Sequence, residues 1–174
     1  MDKQFLLCAL VIASIGASID VRTARIPNWL TYGGLAAALA SRAAMGWIEF
    51  RSGLTGLMIA GGMFLLLFLI GGMGGGDVKL MAAVGTWAGS SQALPVLITS
   101  AIVGGLLAVL YMIVGRRILL TLRNSLELIQ HHVSSGLRPH PYLNVQEAGT
   151  MRVPYGLAIA MGTLYCAGNA FLRG

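Results

Sequence analysis

Residues 71–81 read GGMGGGDVKLM, so that five glycines and one methionine lead from a long apolar run into Asp77. The setting is expensive for an acid. A carboxylate at membrane depth costs roughly 3 kcal/mol or more, so acids there face a bundle interior or a wet cavity and point to function. The rest of the chain establishes that a membrane is the right setting. Of 174 residues 56% are hydrophobic and only 10% charged, and the mean hydropathy is +0.78. This composition excludes an ordinary soluble globule and describes a polytopic membrane protein. Its fold class is all-α, because helices satisfy their own backbone hydrogen bonds within lipid.

Apolar runs predict about six crossings, at Gln4 to Ile19, Trp29 to Trp47, Gly53 to Gly72, Val78 to Gly89, Ala93 to Val114 and Pro154 to Leu172. The first and fourth are short for a hydrocarbon core of about 30 Å. Glycine and alanine recur at packing distance in GLTGLMIAGG and AIVGGLLA, as where membrane helices approach closely. No soluble domain is left over, so residues 1–174 form one integral-membrane domain in contact with the lipid bilayer. The N-terminus resembles a secretory signal in outline, but it reads as a retained first helix, and Leu7 before Cys8 argues against a lipoprotein site. Cys8 and Cys166 lie in apolar runs without a CxxC pair and read as small core residues.

The net charge of +6 is spread singly between oily runs rather than clustered with aromatics, which argues against a nucleic-acid partner. It reads instead as membrane topology. Alternate turns place Arg22, Arg25, Lys79, Arg116, Arg117, Arg123, Arg138 and Arg152 on one face, and Lys3, Arg42, Arg51 and Arg173 on the other. The richer face is expected to be cytoplasmic, with both termini outside. In the long connection from Gly115 to Val153, residues Ile118, Leu119, Leu122, Leu126, Ile129 and Val133 share one arc, which predicts a cytoplasmic amphipathic helix. His131, His132 and His140 lack a third ligand type at site-like spacing, so no metal site is expected.

Asp20 closes the first apolar run and Asp77 follows the third, so an even number of crossings puts both on the cytoplasmic face. Each has a plain reading: Asp77 as N-cap of the fourth helix, Asp20 as an interfacial acid balanced by Arg22 and Arg25. Jointly they suggest a pair. Two carboxylates sharing a site cannot both ionise cheaply, which leaves one protonated and one charged. The charged member can deprotonate a water while the protonated member donates to a peptide carbonyl, the equipment of an aspartic protease with no metal or other cofactor. Either aspartate can be the base, since the pair titrates as a unit. Glu49 and Glu147 lie apart and are expected to be dispensable. The GMGGGDVK segment lacks the G-K-[ST] ending and the preceding strand of a phosphate loop. Glycine offers backbone access instead, so a substrate segment or a neighbouring helix can lie against Gly74, Gly75 and Gly76 beside Asp77.

GGGD, Gly74 to Asp77, resembles the GxGD signature of intramembrane aspartyl proteases. DVRTARIPNWLT, Asp20 to Thr31, resembles the D…R.IPN segment of type IV prepilin peptidases, and VPYG, Val153 to Gly156, is similar to the element opening that family's last helix. The resemblance implies that Asp20 and Asp77 are the catalytic pair of a bacterial inner-membrane peptidase working from the cytoplasmic side. Its substrates would be prepilins and pseudopilins, cut just before the apolar helix that later packs in the pilus. Larger members carry an N-terminal region with paired cysteines and also methylate the new terminus. With no such region here, the resemblance implies peptidase activity alone, as in the minimal Tad/Cpa type that serves Flp pilins. Lys79 and Arg25 would tune the pair or simply follow the charge bias. Pro154, Tyr155 and Gly156 would shape the site, and Asn28 would cap the second helix. The alternative from another class is a proton-coupled transporter or channel with Asp20 and Asp77 as a relay, against which stands the lack of an inverted repeat. A third, a non-enzymatic assembly scaffold, leaves the acid pair unexplained.

Overall fold

The structure is a computed structural model that describes residues 2–70, 72–114 and 154–172. The amphipathic helix expected over 118–133, the three histidines, Glu147 and Val153 lie outside these residues. The described chain is all-helical: α1 (Asp2–Thr23), α2 (Asn28–Ala44), α3 (Trp47–Leu69), α4 (Gly75–Val114) and α5 (Tyr155–Leu172). The sequence explains where the first helices stop. α1 ends as Ala24 takes a left-handed φ of 50° and its N–H donates to the Asp20 carbonyl at 2.7 Å. Pro27 then stands at the N-cap of α2, with φ −72° and no side-chain cap. The turn into α3 needs Gly46, whose φ is +114°. α3 itself contains one wide π turn, Leu57–Gly61.

A straight helix as long as α4, with its 40 residues, would measure about 60 Å, twice the hydrocarbon thickness. It is instead broken at Gly89, where φ 72° and ψ −177° are not helical. The two arms fold back on one another. Asp77 and Gly104 would be about 40 Å apart along a straight helix, yet the Tyr155 ring lies against Gly104 and within electrostatic reach of Asp77.

The first arm of α4 is the centre of the bundle, with Leu80, Met81, Ala83, Val84 and Trp87 all buried. The small residues foreseen as packing positions bring its neighbours close. Gly56 and Gly85 meet backbone to backbone, and a Cβ at Gly61 would sit 2.9 Å from that of Ala82, while one at Gly16 would sit 2.9 Å from the Leu80 side chain. Trp87 Nε1 donates to the Gly34 carbonyl of α2 at 3.0 Å. α5 packs between α1 and the second arm.

The reversal at Gly89 leaves helix ends that need partners. Arg42, only 1% exposed, donates from Nε to the Thr86 carbonyl (2.9 Å) and from Nη2 to the Trp87 carbonyl (2.8 Å). Its Nη1 meets Glu49 Oε2 at 2.7 Å and its guanidinium lies 4.2 Å from the Phe5 ring centroid. Across the break, Ser52 Oγ accepts the Ser90 N–H at 3.0 Å. Arg42, expected as a base on the external face, is a buried cap at the end of α2, and Glu49 is its partly buried counterion.

Among the described residues four helices are long and apolar enough to cross a membrane: Lys3–Thr23, Trp47–Leu69, Gly75–Val114 and Tyr155–Leu172. α2, with 17 residues, falls short, and the expected fourth and fifth crossings share the one long helix. Trp47, expected to end the second run, opens α3. Cys166 is buried as expected, but Cys8 is exposed on α1 and is not a core residue.

Candidate active site

Three helix ends converge at one end of the bundle: the last turn of α1 and the first turns of α4 and α5. Asp20, in that last turn, is 8% exposed, and its Oδ2 accepts the Gly156 backbone N–H at 3.0 Å. Gly156 is needed for this approach. A Cβ there would lie 3.0 Å from Asp20 Oδ2, 3.1 Å from Asp20 Cβ and 3.3 Å from Ala17 Cα, with no room to give.

Asp77 is the third residue of α4 and half-buried. Its N–H donates to the Gly74 carbonyl at 3.1 Å, which makes Gly74 the cap residue. Asp77 is therefore not the N-cap: its carboxylate sits at the third helical position and reaches back toward the Gly74 N–H, half of a capping box. A Cβ at Gly74 would lie 3.0 Å from Asp77 Oδ2, so the glycine lets the carboxylate approach its backbone. The Asp77 carboxylate lies within electrostatic reach of Asp20 and of the Tyr155 hydroxyl. Helix N-termini carry a partial charge of about +0.5, so the starts of α4 and α5 favour a negative charge on the pair. A pair of acids held this way can share one proton and act on a water and a carbonyl together.

The other expected site residues divide. Gly75 packs on the Phe68 ring, and Gly76 lies against Ile26, whose Cβ would be 3.3 Å from a Cβ added there. Neither has positive φ, so Gly76 is required by the Ile26 loop behind it, not by a glycine-only conformation. Lys79 faces away from the acids: its Nζ donates to Asn28 Oδ1 at 3.0 Å and lies 5.0 Å from the Tyr32 ring centroid. Asn28 therefore receives Lys79 and does not cap α2. Arg25 is exposed. Pro154 precedes α5, and its carbonyl accepts the Leu157 N–H at 3.1 Å. Tyr155 packs edge-on against Phe64, centroids 6.2 Å apart. Phe64 had no local signal in the sequence, and although Ile26 lay in the IPN segment and Gly104 in AIVGGLLA, nothing local marks the contacts they make with Gly76 and Tyr155. Arg42 carried a signal, a lone base inside an apolar run.

Among the described residues no three His, Cys, Asp or Glu side chains are grouped to hold a metal ion. Comparison with the curated proteins and with the solved structures returned no match. A family model does match, described as the type IV leader peptidase family, over residues 5–109. The matched span includes Asp20, the Ile26–Pro27–Asn28 turn, Gly74 to Asp77 and the Gly89 reversal, and stops before α5. The chain, a membrane protein by its four long apolar helices, belongs to the type IV leader peptidase family and is a protease.

Proposed function

We propose that this protein is a membrane aspartic endopeptidase that removes the short leader from Flp-type and other type IV-like prepilins at the cytoplasmic face of the inner membrane, with Asp20 and Asp77 as its catalytic pair. The observation that carries this reading is the meeting of a buried and a half-buried acid at the joined ends of α1, α4 and α5, in a chain of the leader peptidase family. One carboxylate takes a proton from water, the other gives one to the scissile carbonyl oxygen, and the roles reverse as the amine leaves. No covalent intermediate is required. The Gly156 N–H fixes Asp20, and the Gly74 side of Asp77 is left open to an extended backbone.

In this reading the chain crosses six times. α2 and both arms of α4 count as crossings, with Arg42 and Glu49 closing the bundle at the external end. A prepilin's apolar helix would stay in the bilayer while its leader junction reaches the acids from the cytoplasmic side. The test is co-expression with an Flp-type prepilin, followed by cleavage of the purified pair in detergent. A size shift equal to leader loss is expected. An intact prepilin under both conditions overturns the reading, and cleavage in detergent, where no gradient exists, separates it from a proton-coupled transporter.

A further inference from the structure

The Gly156 N–H is one of the free amides at the start of α5, with no acceptor inside its own helix. Asp20 Oδ2 is its partner. What holds the amide on target is the residue before it. The Tyr155 ring is seated between the buried Phe64 ring and the backbone of Gly104 on the second arm of α4. The seat at Gly104 is tight. A Cβ built there would lie 2.7 Å from Tyr155 Cε1 and Cζ and 2.8 Å from its hydroxyl oxygen. Ordinary carbon contacts are about 3.5 to 4.0 Å, so one methyl group would have to push the ring by about 1 Å. Phe64, 1% exposed, packs against the same ring and limits its freedom to move. The displacement then passes through the backbone at Tyr155 to Gly156, whose N–H is held on Asp20 Oδ2 at 3.0 Å.

We propose that Gly104 is a positioning residue for the reaction: by seating Tyr155 it fixes the Gly156 amide on Asp20, linking the second arm of α4 to the acid pair. This rests on the reading of Asp20 as half of the catalytic pair. The neighbouring Gly105 has no atom within 4 Å of the same construction and supplies the control.

The test compares Gly104→Ala, Gly105→Ala and the double variant Gly104→Ala/Tyr155→Leu with the parent, all full-length in detergent. Two quantities are read: amide hydrogen exchange at Gly156, and kcat and KM for prepilin cleavage. In Gly104→Ala the Gly156 amide exchanges faster, and kcat falls roughly 10- to 100-fold with KM little changed, the size of effect expected from a shift of about 1 Å at a catalytic group. Gly105→Ala matches the parent. The double variant, which trades the ring for a smaller side chain, regains protection and rate relative to Gly104→Ala. A merely structural glycine would lower protein yield or thermal stability without this rescue. Should Gly104→Ala not accumulate, Phe64→Leu loosens the same ring from its other side and should also expose the Gly156 amide. Unchanged exchange and rate in Gly104→Ala, or a double variant no better than the single one, overturns the proposal. If the parent cleaves no prepilin while Gly156 exchange still responds to Gly104, the seat stands and the cleavage reading of Asp20 falls instead.

Discussion

Arg42 and Glu49 form a 2.7 Å ion pair in which the arginine is fully buried and the glutamate partly so, at the end of the bundle opposite the two aspartates. The pair holds the Gly89 reversal, because the same guanidinium caps the Thr86 and Trp87 carbonyls. A buried cation that loses its partner is costly, and unmade hydrogen bonds to buried carbonyls add to the cost. Glu49→Gln should therefore destabilise the protein by about 1 to 3 kcal/mol, discounted for the partial exposure of Glu49. Arg42→Leu should cost about 3 kcal/mol or more. Thermal unfolding in detergent measures both. Stability equal to the parent in Arg42→Leu would mean that the reversal is held by packing alone.

The contrast between the two ends of the bundle shows what was legible in the chain. Asp20 and Asp77 stood out because acids are rare in an apolar sequence and each closes or opens an apolar run. Arg42 was equally rare, but it was counted only toward the charge of the external face, so its partners went unseen. Those partners are backbone carbonyls 44 and 45 positions away, which leave no mark on composition or spacing. The break at Gly89 was visible as the gap between two apolar runs. That the arms fold back, and that Tyr155 bridges Asp77 and Gly104, depends on tertiary contacts that no local pattern encodes. Of the two readings of Lys79, the contacts favour the charge bias over tuning: two residues from Asp77 along a helix is a turn of about 200°, and the side chain meets Asn28 and Tyr32.

The acid pair makes the second prediction. Asp20→Asn and Asp77→Asn should each abolish prepilin processing, while the protein still accumulates in the membrane. The amide preserves shape but can neither accept the proton from water nor replace the acid. Asp20→Asn can still accept the Gly156 N–H through its carbonyl oxygen, so folding should survive. Immunoblots of membranes and of prepilin from the same cells separate the two effects. Processing near the parent's level in either variant would remove that residue from the chemistry.

Ala24 makes a third. Its φ of 50° belongs to the left-handed region, which costs an alanine about 1 kcal/mol or more, and it lies between Asp20 and the Ile26 turn. Glycine occupies this region freely, though it gains entropy in the unfolded chain. Ala24→Gly should leave stability within about 1 kcal/mol of the parent and keep processing intact. Ala24→Val, with a β-branched side chain at positive φ, should lower both. A valine variant indistinguishable from the parent would show that the turn has another low-energy form.

The glycines before Asp77 give the last prediction. Gly76 faces the Ile26 side chain and backbone, with contacts of 3.3 to 3.6 Å for an added Cβ, so even a methyl group needs Ile26 to give by a few tenths of an ångström. A valine adds two further carbons. The turn it would push follows the helix that carries Asp20, while Gly76 itself adjoins Asp77, so both acids would be moved apart at their common seam. A shift of about 1 Å at a catalytic group can cost roughly a hundredfold in rate. Gly76→Val should thus reduce cleavage far more than it reduces protein level, and adding Ile26→Ala should recover part of the loss by making room. Gly62→Ala should be silent, since nothing lies within 4 Å of a Cβ there; its neighbour Gly61, pressed on Ala82, makes the helix contact instead. Gly61→Val should accordingly lower accumulation of the protein. Cleavage by purified Gly76→Val at the parent's rate, or no gain from Ile26→Ala, would show that the Ile26 turn moves freely and that the glycine run does not set the distance between the acids.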